Sequence, residues 1–332
     1  MAQTISRKNI EYFEKEFPLL KEKVLLKDHS TWRVGGPAKY FLEAQNKEDL
    51  EKAVGLAKKI NLPFFVLGGG SNILVSDKGF NGLVIKIKIL NFGIKEEKGK
   101  IKVLAGAGLP LNFLSARLLE NEASGMEWSS SIPGSLGGAI FGNAGAFGPS
   151  MADSVDWVEV LEIKNKKYQF KKYSNNDCGF FYRSSIFKKK APNMIIISAQ
   201  LSLSQGGKEA IEAKMKEYAD YRKARHPLAF PSAGSVFKNH AKPIKNKSLL
   251  AQFPDLAVFN QKGEIPAGWL IAKAGLTGKK IGGAQISEKH SNFFVNLGNA
   301  KAKDIRALIK FAKRKVKKVF GIDLKEEIIY LS

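Results

Sequence analysis

Three clusters of small residues are the parts of this 332-residue sequence that could most directly do chemistry. Gly68-Gly69-Gly70-Ser71-Asn72 follows the apolar run Phe64-Phe65-Val66-Leu67, which reads as a buried strand entering a loop with an exposed backbone. Consecutive glycines let main-chain N–H groups converge on an anion with no Cβ in the way, which suits a pyrophosphate. Neither the P-loop pattern nor a G-x-G-x-x-G opening a helix is met, so the triplet alone reads as a tight turn before it reads as an anion cradle. Ser129 to Ala139 is denser, with Ile132, Pro133, Gly134, Ser135, Gly137 and Gly138, and Asn143-Ala144-Gly145-Ala146 follows closely. No turn needs so many small residues, whereas a close backbone approach to a large flat or phosphorylated ligand does. Arg33-Val34-Gly35-Gly36-Pro37 adds a third loop with a guanidinium. Together the three loops favour a sizeable bound cofactor.

The elements that must hold these loops follow from periodicity. Leu50, Ala53, Val54, Ala57 and Ile60 recur at helical spacing, with Asn46 as N-cap and Asp49 three residues on. Apolar runs at Leu83–Ile89, Ile101–Ala105, Val155–Ile163 and Met194–Leu203 predict strands, and one helix is expected over about 110–121. The polar stretch Ser204-Gln205-Gly206-Gly207 marks the expected domain boundary. Beyond it, helices are expected over 208–225, from Pro266 to Gly275, and over 302–320. In the last, Ile305, Leu308, Ile309, Ala312, Val316 and Val319 form one stripe while lysines and arginines point elsewhere. That pattern predicts an amphipathic helix docked on a sheet with a solvated basic face. The fold class is α+β.

Composition narrows the function classes. With 54 Lys plus Arg against 31 Asp plus Glu, the net charge is +23, which raises nucleic acid or an acidic membrane surface as a partner. Arginine, the residue that grips phosphate bidentately, is scarce beside lysine, and no nucleic-acid-binding motif or interleaved aromatic stripe accompanies the charge. A basic nucleic-acid-binding protein therefore stands as the rival reading from another class. The single Cys178 excludes an internal disulfide and a cysteine-built metal site, and no metal is expected. No apolar stretch is long enough to span a membrane and no signal peptide is evident, so a cytoplasmic protein without membrane insertion is expected.

The strings TWRVGGPA, VLGGGSNILVSDKGFNGLVI, IPGSLGGAIFGNAGAFG, CGFFYRSSIFK, FPSAGSVFKN, IGGAQISEKHSNFFVN and FGIDLKEEIIYL occur in that order from about Ser30 to the end. In this the sequence resembles the UDP-N-acetylenolpyruvoylglucosamine reductases, the MurB family. The resemblance implies an FAD-binding domain of the vanillyl-alcohol-oxidase (PCMH) type followed by a smaller α+β substrate-binding domain. Expected bounds are 1–29 for an N-terminal extension, 30–205 for the FAD domain, 206–320 for the substrate domain with an insertion at about 240–264, and 321–332 for a C-terminal strand. It further implies non-covalent FAD, NADPH as reductant, and reduction of the enolpyruvyl group of a UDP-sugar to UDP-N-acetylmuramate in peptidoglycan precursor synthesis. Another FAD-dependent oxidoreductase of the same fold is the alternative within the enzyme class.

The resemblance also implies roles. Ser235, in Ala233-Gly234-Ser235-Val236-Phe237-Lys238-Asn239, matches the proton donor to C2 after hydride reaches C3. Arg183, in Tyr182-Arg183-Ser184-Ser185, matches the arginine whose fork suits the enolpyruvyl carboxylate. Glu327 matches the acidic residue of the family's ending; Lys325 breaks the pattern there and Glu326 stays open, although period 2 sends Glu326 and Glu327 to opposite faces. Arg33, Gly68, Gly69, Gly70, Ser71, Asn72, Ile132, Pro133, Gly134, Ser135, Gly137, Gly138, Ala144 and Gly145 are the expected cofactor residues. Lys223, Asn239 and Gln285 are the expected substrate contacts, and His290 is expected to be structural or a neighbour of the diphosphate rather than a base. His240 stands where proline is common, and the short join from Phe187 to Met194 looks like the compact type lacking an extra tyrosine loop. The insertion's Phe253, Pro254, Leu256 and Phe259 suggest an ordered excursion.

Overall fold

A computed structural model describes residues 7–165 and 167–332, with side chains described from residue 11 onward apart from 166. Residues 1–6 of the expected N-terminal extension lie outside the described residues. Two compact units share the chain unevenly: Met1–Val24, Pro37–Gly70 and Phe80–Tyr221 form the first, and Leu25–Gly36, Ser71–Gly79 and Arg222–Ser332 the second. This differs from the single crossing expected at 205–206. The polar stretch is no linker, because Gly206 N–H donates to the Glu122 carbonyl at 2.8 Å. The helix Lys208–Arg225 that follows buries Ile211 and stacks Tyr218 on Phe147 with centroids 4.1 Å apart, so its part up to Tyr221 belongs to the first unit. The two early segments are held to the second unit by Trp32, whose indole Nε1 donates to the Phe294 carbonyl at 2.6 Å, and by Ile73–Val75 pairing in parallel with Ile329–Leu331.

The first unit contains two sheets. Strands Pro37–Ala44, Phe80–Ile87 and Phe64–Leu67 pair in parallel in that spatial order, with Lys21–Leu25 at the edge. The helix Lys47–Lys59 starts where the Asn46 side chain accepts the Asp49 N–H at 2.7 Å, and it buries the expected stripe Leu50, Ala53, Val54 and Ala57. The second sheet is antiparallel, in the order Lys167–Ser174, Val155–Lys164, Met194–Gln205, Lys100–Gly106, Phe92–Glu97. Both faces of Met194–Gln205 are covered over much of its length, which is why its sequence reads as a continuous apolar run. Leu111–Glu120 is the expected helix, with Pro110 at its N-cap.

In the second unit a three-stranded antiparallel sheet, Lys280–Ile281, Ala284–Ile286 and Phe294–Asn296, lies beneath the helix Ala302–Phe320. Ile305, Leu308, Ile309, Ala312 and Val316 are buried, while Lys303, Arg306, Lys310, Arg314 and Lys315 are exposed. Burial of each large aliphatic side chain stabilises by roughly 1.5–3 kcal/mol, enough to dock this helix without help from its basic face. Gly321, at φ 71°, ends it.

Over 240–264, where an insertion is expected, the chain forms a packed excursion. His240 and Ile265 exchange main-chain bonds in both directions, at 2.9 and 2.8 Å, closing the excursion at its base. Proline at 240 would lack the donor for one of these bonds. Within it, Lys247–Gln252 and Asp255–Gln261 are helical. Leu256 is fully buried, Phe253 and Phe259 pack edge-on against Trp269, and Phe253 also meets Phe320. The segment covers apolar surface at the C-terminal end of the long helix.

Candidate active site

In the first unit, the two glycine-rich loops meet. A Cβ on Gly69 would stand 2.6 Å from Gly134 Cα, and one on Gly68 would stand 2.6 Å from Ser135 Oγ. Backbone therefore lies on backbone, which only glycine permits. Ser135 caps the short helix Leu136–Gly142, its Oγ accepting the Gly138 N–H at 3.4 Å, and Gly137 N–H donates to the Ala107 carbonyl at 2.9 Å. Ile132 is half-buried and Pro133 exposed at the loop's crest. Ser130 Oγ and Ser131 Oγ are buried without a hydrogen-bond partner among the described residues. Unmet hydroxyls cost free energy unless a bound group satisfies them, so this loop fits a polar, phosphate-bearing ligand.

Arg183 joins the same region. Its guanidinium Nη2 donates to the Gly145 carbonyl at 2.9 Å, and Tyr182 lies under the guanidinium carbon at 5.5 Å from the ring centroid. Its φ of 53° is left-handed, held by the paired Phe181 and Ser184 main chains and by Lys188 Nζ on the Arg183 carbonyl at 3.3 Å. Ala144 and Gly145 follow Asn143, a left-handed helix cap whose Oδ1 accepts the Ala152 N–H and whose Nδ2 donates to the Phe181 carbonyl.

In the second unit, Ser235-Val236-Phe237 runs as a short extended segment with neighbours on both sides. Ser235 bridges Phe293, and Val236 N–H donates to the Asn292 carbonyl at 2.9 Å. On the other side, Glu327 N–H donates to the Val236 carbonyl at 2.8 Å and Phe237 bridges Glu326. Val236 and Phe237 are buried; Ser235 is half-exposed.

The two glutamates differ in their surroundings. Both oxygens of Glu326 are engaged, Oε1 by Lys313 Nζ at 2.6 Å and Oε2 by the Tyr330 hydroxyl at 2.5 Å. Burial alone would raise its carboxyl, but these two bonds hold it below the usual range, and burial beside the carboxylate pushes the Tyr330 phenol up. Glu326 lines a cavity of about 660 Å³ with Arg306, Lys310, Phe311 and Tyr330, on the side of the long helix. Only Ile329–Leu331 is strand, shorter than the strand expected over 321–332.

The remaining expected residues are dispersed. Arg33, Ser71 and Asn72 belong to the second unit. Buried Trp32 and Val34 flank exposed Arg33; in the same loop a Cβ on Gly35, at φ 122°, would stand 2.5 Å from Val75 Cβ, so Gly35 serves packing. Asn72 holds Glu327 through its amide. Asn239 Oδ1 accepts the Ala267 N–H at 3.1 Å, opening the helix Ala267–Lys273. Gln285 is buried, its Nε2 donating to the Gly278 carbonyl and Glu288. Lys223 is exposed, and its carbonyl accepts from Lys289 Nζ at 3.4 Å. Two features escape sequence reading. Asn292 is an almost fully buried amide, and Arg222 is a half-buried guanidinium whose Nε has no hydrogen-bond partner among the described residues and whose pKa burial lowers. Neither stands out in a sequence that gives no burial.

A model for an FAD binding domain matches residues 38–165, the stretch that holds both glycine-rich loops of the first unit. With a separate C-terminal domain carrying the Ser235 segment, the class is an FAD-dependent oxidoreductase. The C-terminal match, over residues 226–331, is to the C-terminal domain of UDP-N-acetylenolpyruvoylglucosamine reductase. Enzymes of that name from Caldanaerobacter subterraneus subsp. tengcongensis and Thermotoga maritima are 39% and 38% identical to it, over 91% and 90% of this chain and 90% and 94% of theirs. The crystal structure of the Thermus caldophilus reductase (MurB) superposes with a TM-score of 0.72 at 33% identity, covering 95% of this chain and all of that one. The chain belongs to the UDP-N-acetylenolpyruvoylglucosamine reductase family.

Proposed function

We propose that this chain uses Ser235, Arg183 and Glu327 to reduce the enolpyruvyl group of UDP-N-acetylglucosamine enolpyruvate to UDP-N-acetylmuramate. FAD, when bound, supplies to C3 the hydride that it takes from NADPH. The residues that would hold it are Arg33, Gly68, Gly69, Gly70, Ser71, Asn72, Ile132, Pro133, Gly134, Ser135, Gly137, Gly138, Ala144 and Gly145. The unmet Ser130 and Ser131 hydroxyls and the backbone-on-backbone contact of the two loops support that reading.

Hydride arrival at C3 leaves negative charge on C2 and the carboxylate. Arg183 is suited to the carboxylate, since a guanidinium makes two parallel charge-assisted bonds to it. The Ser235 hydroxyl delivers the proton to C2; a hydroxyl is a weak acid, and a strongly basic carbanion is the partner it can serve. Glu327, rather than Glu326, acts beside that step. The observation that carries this choice is that both carboxylate oxygens of Glu326 are taken by Lys313 and Tyr330, while the Glu327 amide abuts Val236, the neighbour of Ser235. Lys223, Asn239 and Gln285 serve the substrate's carboxylate, sugar or diphosphate. The enzyme works in the cytoplasm without a nucleic-acid partner, and no helix among the described residues is long and apolar enough to cross a membrane.

The test is stopped-flow measurement of the two half-reactions in the FAD-loaded enzyme. Substituting Ser235→Ala or Glu327→Gln should leave reduction by NADPH intact and slow reoxidation by the enolpyruvyl sugar; equal slowing of both would remove the assignment.

A further inference from the structure

One buried side chain pairs directly with the backbone of the Ser235 segment. Asn292 is 3% exposed. Its Oδ1 accepts the Phe237 N–H at 3.0 Å and its Nδ2 donates to the Phe237 carbonyl at 2.8 Å, so one amide satisfies both main-chain groups of a residue two places from Ser235. The Asn292 carbonyl takes the Val236 N–H, and Phe293 bridges Ser235 itself. The Val236 N–H and both main-chain groups of Phe237 are thus met by Asn292.

Asn292 is in turn fixed by His290. The Asn292 N–H donates to His290 Nδ1 at 3.2 Å, and the Phe293 N–H donates to the His290 carbonyl at 2.9 Å. The His290 ring packs edge-on against Phe293, with centroids 4.8 Å apart, and the His226 ring packs against both. An acceptor at Nδ1 requires the proton to sit on Nε2, so the ring acts as a fixed acceptor.

We propose that Asn292 and His290 are positioning residues for Ser235: His290 Nδ1 sets the 290–293 turn, and Asn292 transmits that placement to the Ser235–Phe237 backbone through its paired amide bonds. The proposal rests on the reading of Ser235 as proton donor. A displacement of a reacting group by about 1 Å costs on the order of 10²-fold in rate, so loosening this clamp lowers turnover while substrate affinity holds.

Two positions test it. In Asn292→Ala and in His290→Leu, flavin reduction by NADPH and KM for the enolpyruvyl sugar should match the parent enzyme, while reoxidation by that sugar falls by about 10- to 100-fold. His290→Asn is the rescue, because an asparagine Oδ1 accepts from the N–H two residues on, as Nδ1 does here, and should recover most of the rate. If Asn292→Ala does not fold, the His290 pair alone decides. Parent-like reoxidation in folded, FAD-loaded His290→Leu, a rise in KM in place of the fall in kcat, or no recovery in His290→Asn would each overturn the proposal. Ser235→Ala is measured alongside. If it reoxidises at the parent rate, the Ser235 reading fails; if it is slow and His290→Leu is fast, only the positioning claim fails. Adding His290→Leu to Ser235→Ala should cost nothing further, since the two changes remove one function.

Discussion

Asn72 Nδ2 donates to the main-chain carbonyl of Glu327 at 3.2 Å, and the Ile329 N–H returns a bond to the Asn72 carbonyl at 3.0 Å. The residue that closes the Gly68–Asn72 motif thus anchors the C-terminal stretch carrying the proposed catalytic carboxylate. Asn72→Ala should therefore act on two steps at once. FAD retention should fall, because Asn72 is among the residues proposed to hold the cofactor, and reoxidation by the enolpyruvyl sugar should slow by roughly tenfold as Glu327 loosens. Flavin absorbance after gel filtration and stopped-flow reoxidation check the two parts separately.

The adjacent glutamates should give opposite phenotypes. Glu327→Gln is expected to lower turnover by about 10²–10⁴-fold with little change in Tm, as expected when an acid–base group is lost. Glu326→Gln breaks charge-assisted bonds to Lys313 and Tyr330, each worth about 1.5–3 kcal/mol, and should lower Tm with turnover within a few-fold of the parent. Thermal unfolding and steady-state kinetics on both variants decide which carboxylate is which.

The loop contact gives a third expectation. Gly69→Ala forces a Cβ to within 2.6 Å of Gly134 Cα, so the two glycine loops must part and FAD retention should fall sharply. Gly35→Ala, strained at φ 122° and 2.5 Å from Val75 Cβ, should cost stability in the second unit whether or not FAD is added. Fluorescence titration with FAD, set against Tm, distinguishes them.

Acid should weaken the fold through the histidines behind Ser235. Burial, with Arg222 and His290 nearby, pushes His226 down from its ordinary 6.5 to about 4, and burial lowers His290 as well. Between these values the unfolded chain binds more protons than the folded one, so stability rises with pH there and is lost as pH falls from about 6.5 toward 4. His226→Gln should flatten the Tm profile across that window. An unchanged slope in the variant would mean that other groups carry it.

Much of the fold is legible in the sequence. Asn46 and Asp49 announced a helix start, Pro266 and Gly275 bracketed a helix, and the Ala302–Phe320 stripe gave the docking face, because each signal is local and periodic. The packing of the 240–264 segment is foreshadowed by its aromatic residues. What sequence could not supply was long-range partnership. Nothing local says that Trp32 is tied to Phe294, or that Asn239 opens a helix near residue 267. Nor does anything local say that Lys313 and Tyr330 engage Glu326, the observation on which the preference for Glu327 rests. Asn292 was invisible for the same reason: a buried amide and a surface amide are the same letter.

On the proposed assignment, hydride transfer and proton delivery are separate jobs, the second belonging to Ser235. The direct measurement is anaerobic stopped-flow at the flavin absorbance band on FAD-loaded Ser235→Ala, first with NADPH and then with UDP-N-acetylglucosamine enolpyruvate. The account predicts bleaching by NADPH at the parent rate and a recovery of colour slowed by several orders of magnitude. Recovery at the parent rate would contradict it.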